Sequence, residues 1–388
     1  MKSNSSYHLS HFLSLLPCFL ASLLLFSLTG CSKNNLSTNN NENSYKIAVA
    51  APQFGPYKEL GLSIINGAEL AVDLKNKQGG INGKKIELIE VDDGGLAGEG
   101  TLKAKNLVDQ MILGVIGHLH SDISIPASEI YSKAMIAEIT PGSTNPFFTE
   151  RERVRGYVFR TVGRDDQQGD IAAQFILKKG FKKIAVLYNN RGYGFSLSSE
   201  FVKKLSRISK TAEVVFYEMY KVDQKNFLKE IAEIKTKSPE VVFFAGEYGD
   251  AASFLKQLRD SGLKIAFLGG EAVFDSEFIK GAKSASEGAT IISLSEVKDK
   301  DFIEAYSKKF DKELGAYSAN SFDATNILIK AIERSSKKEP EKIASEIAMI
   351  SEYNGLTGKI SFDPKGDLTV PNFSIYEVKN GMFTPVQQ

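Results

Sequence analysis

Residues 46–91 read KIAVAAPQFGPYKELGLSIINGAELAVDLKNKQGGINGKKIELIEV, and the alternation within them decides the fold class. Lys46–Ala51 is a short apolar run without polar alternation, the pattern of a strand covered on both faces. From Leu62 to Lys77, the positions Leu62, Ile65, Ala68, Ala71, Val72 and Lys75 follow the helical period. Gly79-Gly80 stops that helix, and Lys85–Val91 (KIELIEV) supplies the next strand. Strand, amphipathic helix and strand in this order form a βαβ unit with parallel strands.

The same grammar continues outward. A helix is expected over Gly98–Gln110, a strand at Gly114–Gly117, a helix over Ser124–Lys133 and a strand at Met135–Ile139. A second set begins near Asp165. It has helices over Gln168–Lys179, Phe195–Ser209, Phe227–Lys237 and Asp250–Ser261, and strands at Lys183–Tyr188, Ala212–Tyr217, Val241–Ala245 and Ile265–Leu268. Two halves of one architecture imply two Rossmann-like α/β lobes, each a parallel sheet with helices on both faces. The tail departs from this. Strand Ala289–Ser293 precedes helices over Lys300–Leu314, Ser321–Arg334 and Glu341–Ile350. A terminal hairpin is then expected, Gly358–Asp363 with Phe373–Lys379, turning at Pro364-Lys365-Gly366-Asp367. Such a tail completes both lobes and makes a multi-strand hinge. The division expected is 45–163 with 296–354 for lobe one, and 164–295 with 355–388 for lobe two.

The N-terminus points to export. Lys2 precedes the apolar stretch Phe12–Leu28, which is short for a membrane span and interrupted by Pro17, so 1–30 reads as a signal peptide. It ends in Leu28-Thr29-Gly30-Cys31, which looks like a bacterial lipobox and marks Cys31 for lipid attachment. Residues 31–44 are polar and without periodicity, a flexible tether. Both cysteines, Cys18 and Cys31, belong to this export region, which leaves the body without disulfide or thiolate chemistry. The 48 basic and 47 acidic side chains are interspersed, net +1, which gives no basic face for nucleic acid. The remaining chain, about 340 residues at 42% hydrophobic composition, suffices for two domains.

In open α/β sheets ligands lie beyond the carboxyl ends of the strands. In the first half those loops are Gly117–Asp122 (GHLHSD) and Thr140–Pro146 (TPGSTNP). Both offer hydroxyls and backbone N–H groups, and the first opens a helix, a combination suited to a carboxylate. Plain helix capping is the alternative. In the second half, Asn189–Phe195, Gly246–Asp250 and Gly269–Ala272 put a carboxylate or an aromatic at each strand end. Glu271 facing a cleft would call for a cationic partner; on an open surface it would make only a salt bridge.

The sequence resembles the substrate-binding lipoproteins of branched-chain amino-acid ABC transporters, with the type I periplasmic binding fold. The resemblance rests on Gly61–Gly83, Val91–Asp93, Val115–Ser128 (VIGHLHSDISIPAS), Thr140–Pro146, Tyr193-Gly194, Gly269–Glu271 and Phe362–Leu368 (FDPKGDL). It implies that the Ser121 hydroxyl holds a ligand α-carboxylate, that Ser143 and Thr144 hold carboxylate and amine, that Tyr193 closes from the opposite lobe, and that Glu271 pairs with the α-ammonium. Glu247 stands where many relatives carry an aromatic, and Leu60 where some carry a larger ring. A desolvated Glu beside an aliphatic ligand would be costly unless paired, so a polar, amide or basic amino acid stands beside leucine, isoleucine and valine as the ligand.

The resemblance further implies hinge closure on the ligand, delivery to an ABC permease, and a monomer at the membrane only through its lipid, outside the cytoplasm. A sensory module of the same fold is the alternative partner reading. An enzyme is not expected. The body has two histidines, His118 and His120, and no cysteine, so a nucleophile lacks a ready base and orienter. Those histidines have no evident third metal ligand. The glycine-rich Gly94–Gly100 follows the acidic Asp92-Asp93 and lacks dinucleotide-fingerprint spacing. No cofactor and no metal are expected.

Overall fold

The computed structural model describes residues 44–386; the signal, Cys31 and the tether through residue 43 lie outside the described residues, and Ser44, placed in the tether on sequence, opens the first strand. The first sheet contains β1 (Ser44–Ala51), β2 (Lys85–Asp92), β3 (Val115–Gly117), β4 (Glu138–Thr140) and β5 (Val158–Arg160), all parallel, in the order β2-β1-β3-β4-β5. Ile47 through Ala51 are wholly buried, which explains why β1 shows no polar alternation. Around this sheet lie α1 (Lys58–Lys77), α2 (Ala97–Val108), α3 (Ser121–Lys133) and α4 (Phe147–Glu150).

After α5 (Asp165–Lys178) the second sheet builds from β6 (Lys183–Asn189), β7 (Glu213–Tyr220), β8 (Val241–Ala245), β9 (Ala266–Gly269) and β10 (Thr290–Leu294), with α6 (Gly192–Ile208), α7 (Leu228–Lys237), α8 (Tyr248–Asp260) and α9 (Ser276–Ala282) between them. The tail then runs α10 (Lys300–Phe310), α11 (Ser318–Arg334), α12 (Pro340–Ala348), β11 (Tyr353–Gly355), β12 (Gly358–Ile360), β13 (Phe373–Lys379) and β14 (Met382–Pro385). The order in the second sheet is β14-β13-β10-β9-β8-β6-β7. It is parallel except where β13 runs antiparallel to both β10 and β14.

α11 returns to pack on α1. The approach is close because Gly67 lacks a side chain: a Cβ there would lie 2.2 Å from the Ser318 carbonyl oxygen. The chain passes between the sheets at 161–164, 295–299 and 369–372, and these segments are bonded to one another. The Ser295 N–H donates to Asn372 O (2.8 Å), and the Asn372 amide donates to Thr161 O (3.3 Å). The Thr161 hydroxyl donates to Asn320 O at the start of α11 (2.9 Å).

The expected terminal hairpin is not formed. β12 pairs with β11, through Asn354 and Lys359, and β13 pairs with β10 and β14. The turn between them is closed by an isolated bridge, Phe362 with Leu368, and by amides of Lys365 and Asp367 donating to the Asp363 carboxylate. What diverts it is Asp367. Its carboxylate pairs with Arg160 Nε at 2.7 Å and Arg164 at 2.6 Å, and accepts the Thr149 hydroxyl at 2.9 Å. Residues 355–371, placed with lobe two on sequence, are thereby tied to the first sheet; Leu356 and Thr357 likewise donate to Asp323 of α11. β5, β11 and β14 are additions to the expected strands, and α4 and α9 to the expected helices.

Candidate functional site

Loops at the carboxyl ends of both sheets meet across a cavity of about 280 Å3 of atom-free space, its mouth included. Leu60, Leu119, His120, Ser121, Gly142 and Tyr317 line it from the side of the first sheet; Tyr193, Glu247, Glu271 and Ala272 line it from the second. Four of the six residues assigned ligand contacts on sequence therefore meet here, Ser121, Tyr193, Glu247 and Glu271, together with Leu60. Among the described residues no group of three or more His, Cys, Asp or Glu side chains is placed to hold a metal ion.

On the first side, α3 begins at Ser121 with His120 as its N-cap, three residues earlier than the sequence pattern suggests. Its first turn presents backbone N–H groups and the positive end of the helix dipole to the cavity. The Ser121 hydroxyl accepts the Asn145 N–H at 3.3 Å. Ser143 and Thr144 are also buried, yet neither lines the cavity. The Thr140 hydroxyl oxygen accepts the amides of Gly142 (3.2 Å) and Ser143 (2.9 Å), which curls the loop so that Gly142 faces the cavity. The Ser143 hydroxyl is spent on Ser124 Oγ (2.6 Å) and the carbonyls of His118 and Leu119, while Thr144 faces the buried Asp165 carboxyl. The loop is braced from behind by Arg160, fully buried, which donates to the Ser143 and Asn145 carbonyls.

On the second side, Glu271 is 2% exposed. It accepts the Tyr193 hydroxyl at 2.9 Å and the Gln168 side-chain amide, and the Gln168 carbonyl in turn accepts the Glu271 N–H at 3.0 Å. The approach requires Gly270, where a Cβ would stand 2.5 Å from the Tyr193 hydroxyl. These donors are neutral. Burial, reinforced by Asp165 and opposed by Gln168 and Tyr193, pushes the Glu271 carboxyl up to about 8. Burial likewise pushes Asp165 and Glu247 up to about 7, the latter opposed by Arg191 and reinforced by Asp250. Glu247, the N-cap of α8, accepts from the Asn189 amide. The two sides touch through the Tyr248 hydroxyl donating to Pro56 O (2.9 Å), the Asn145 amide donating to Gly192 O (3.3 Å), and Arg191, which donates to Gly95 O and lies 4.9 Å over the Tyr57 ring.

A model for periplasmic binding proteins matches residues 44–382. The chain belongs to that family. Its curated relatives include Leu/Ile/Val-binding protein homolog 1 of Brucella abortus, 34% identical over 86% of this chain and 90% of the relative. The leucine-, isoleucine-, valine-, threonine- and alanine-binding protein of Pseudomonas aeruginosa is 33% identical over 86% of this chain and 89% of its own. Among solved structures, a leucine-binding protein from Thermotoga maritima superposes with a TM-score of 0.82 at 27% identity, covering 88% of this chain and 98% of that one. The isoleucine-bound branched-chain amino-acid transporter protein of Streptococcus pneumoniae shares the fold, with a TM-score of 0.80 at 24% identity, covering 88% and 97%. The family is one of extracytoplasmic binding proteins, not of enzymes, and no helix among the described residues is long and apolar enough to cross a membrane.

Sequence reasoning missed Leu119, Gly142, Ala272, His120 and Tyr317 as cavity residues. The first four adjoin residues that were singled out. Tyr317 has no local signal: it reaches the cavity because α11 docks on α1, where the Tyr317 N–H donates to Ser63 Oγ (3.2 Å). His118, one residue-pair from the cavity, is instead a core residue, with Nδ1 2.8 Å from Asp93 and Nε2 3.2 Å from the Tyr131 hydroxyl.

Proposed function

We propose that this protein is the solute-binding component of an ABC importer, taking one free α-amino acid between its lobes by hinge closure. The observation that carries this reading is the opposition, across one cavity, of the α3 N-terminus with Ser121 on one lobe and the buried Glu271 on the other. The first arrangement suits a carboxylate and the second an ammonium, and the backbone of an α-amino acid is the smallest common group bearing both. The names of the Brucella and Pseudomonas relatives, amino-acid binders over nearly their whole length, support it. The moving bodies would be 44–163 with 296–371, and 164–295 with 372–386. A lipid on Cys31 would hold them at the outer face of the membrane, where the closed form, as a monomer, meets a permease. Isothermal calorimetry against the twenty amino acids tests the reading: at least one should bind, and Glu271→Gln should abolish binding while leaving the thermal unfolding of the unliganded protein intact. Failure of every amino acid to bind would refute it, and undiminished binding by Glu271→Gln would remove the ammonium assignment.

A further inference from the structure

The cavity has a second polar group that the amino-acid backbone does not use. Glu247 and His120 both line it, each 4% exposed. Glu247 Oε2 is engaged by Asn189, but Oε1 is 3.9 Å from His120 Nε2, beyond hydrogen-bond range. Neither ring nitrogen of His120 has a hydrogen-bond partner among the described residues. The ring is fixed edge-on against Tyr57 at 4.6 Å, so this is a held group and not a free rotor.

We propose that Glu247 and His120 select an α-amino acid whose side chain donates a hydrogen bond, an amide or a hydroxyl, over an aliphatic one of equal size. The proposal rests on the amino-acid reading of the cleft. Burial, with Arg191 and His118 nearby, keeps His120 neutral, so its ring offers one N–H and one bare nitrogen. Glu247 adds an acceptor. Arg191 already supplies part of the countercharge for Glu247, which lets a neutral donor suffice in place of a full cation. A side-chain amide matches the set completely, its NH2 toward Glu247 and its carbonyl toward the His120 N–H; a hydroxyl matches it in part. Leu60, Leu119, Ala272 and Tyr317 give the stem of such a side chain an apolar wall, the usual mixture of a small-ligand site. An aliphatic ligand would complete the desolvation of these groups and leave them unpaired, which costs roughly tenfold or more in affinity.

Isosteric pairs isolate this effect. Threonine against valine and asparagine against leucine differ in polarity at nearly constant shape. With the full chain, calorimetry should find threonine over valine and asparagine over leucine by about tenfold or more. Glu247→Met should erase or invert both preferences, and Glu247→Gln, which keeps an acceptor, should retain them in reduced form; a purely structural role for Glu247 would lower all four affinities together. Valine equal to or better than threonine, with leucine equal to or better than asparagine, in the unsubstituted protein would overturn the proposal and leave the amino-acid reading standing. No binding by any amino acid would sink that reading first.

Discussion

Raising the pH from 6 to 8 should tighten amino-acid binding roughly 50-fold. The perturbation acts on Glu271, whose carboxyl is pushed up to about 8 by burial and by Asp165, against the neutral donors Gln168 and Tyr193. An ammonium is paired by the carboxylate and not by the acid, so for unliganded protein that rests in the closed arrangement described, with Glu271 buried, the competent fraction is about 1 in 100 at pH 6 and about half at pH 8, and apparent affinity scales with that fraction. The difference is about 2.3 kcal/mol. Titration calorimetry between pH 6 and 8.5 at fixed ionic strength, repeated in buffers of different ionisation enthalpy, reads both the slope and the proton released, near one per ligand at pH 6 and about half at pH 8. Because Glu247 and Asp165 also titrate near the window, at about 7, the series belongs in a Glu247→Gln background and is repeated with Asp165→Asn. Stability of the unliganded protein should move oppositely. A carboxyl raised above its unfolded value stabilises fully below that value, and the contribution is lost as pH climbs through about 8. An affinity constant within twofold from pH 6 to 8, with no proton release, would refute the assignment of a protonated, ammonium-pairing Glu271.

Two further substitutions test the scaffold. Arg160→Met removes a fully buried guanidinium from Asp367 and from the Ser143 and Asn145 carbonyls; the loss should be about 3–5 kcal/mol, as for other broken buried pairs, seen as a lower urea midpoint at unchanged m. Burial alone would raise Asp367, but Arg160, Arg164 and Thr149 outweigh it and hold the carboxyl below its usual range, so the stability it supplies is present above the unfolded value and fades as pH falls through the folded one. Gly67→Ala has opposing terms. Helix propensity favours alanine by about 1 kcal/mol, yet the new Cβ meets the Ser318 oxygen at 2.2 Å. The clash, at about 1–3 kcal/mol, should win, lowering the urea midpoint and weakening ligand binding through the displaced start of α11.

Most of the sheet architecture was legible because it is written locally. Ile47–Ala51 of β1 and all of β8 are continuous apolar runs, buried along those lengths, and the helices between strands carry a 3.6 period. β5 escaped notice because it is three residues long and ends in a buried arginine, Arg160, whose partner Asp367 lies in the tail; a pair so distant in sequence leaves no local trace. The same pair explains the failed hairpin, since turn chemistry at Pro364–Asp367 was read correctly and its destination was not. Ser121, Tyr193, Glu247 and Glu271, which line the cavity, were picked out on sequence because each sits where a strand gives way to a helix. That Ser143 does not line the cavity could not be read from the sequence, because hydroxyl direction depends on which amides Thr140 caps, a matter of a few dihedral angles that residue type does not encode.

The same buried acids bear on how closure would report ligand. The lobes meet through a few contacts, Tyr248 on Pro56, Asn145 on Gly192 and Arg191 on Gly95 and Tyr57, and near them lie Asp165, Glu247 and Glu271, of which Asp165 feels Arg160, Glu247 feels Arg191, and Glu271 has only neutral donors. Closing over these groups strips water from carboxyls that prefer to be ionised in solution, so each must take up a proton or remain charged at a cost. A ligand ammonium cancels that cost in the closed form and has no such role in the open one. Since a ligand can shift a conformational equilibrium only by its differential affinity for the two states, acids that weaken the unliganded closed form widen the gap between them. On this reading Glu271 does more than hold the ligand: it makes the closed state depend on it, and Glu271→Gln, which should not bind, should leave a protein that closes more readily without ligand.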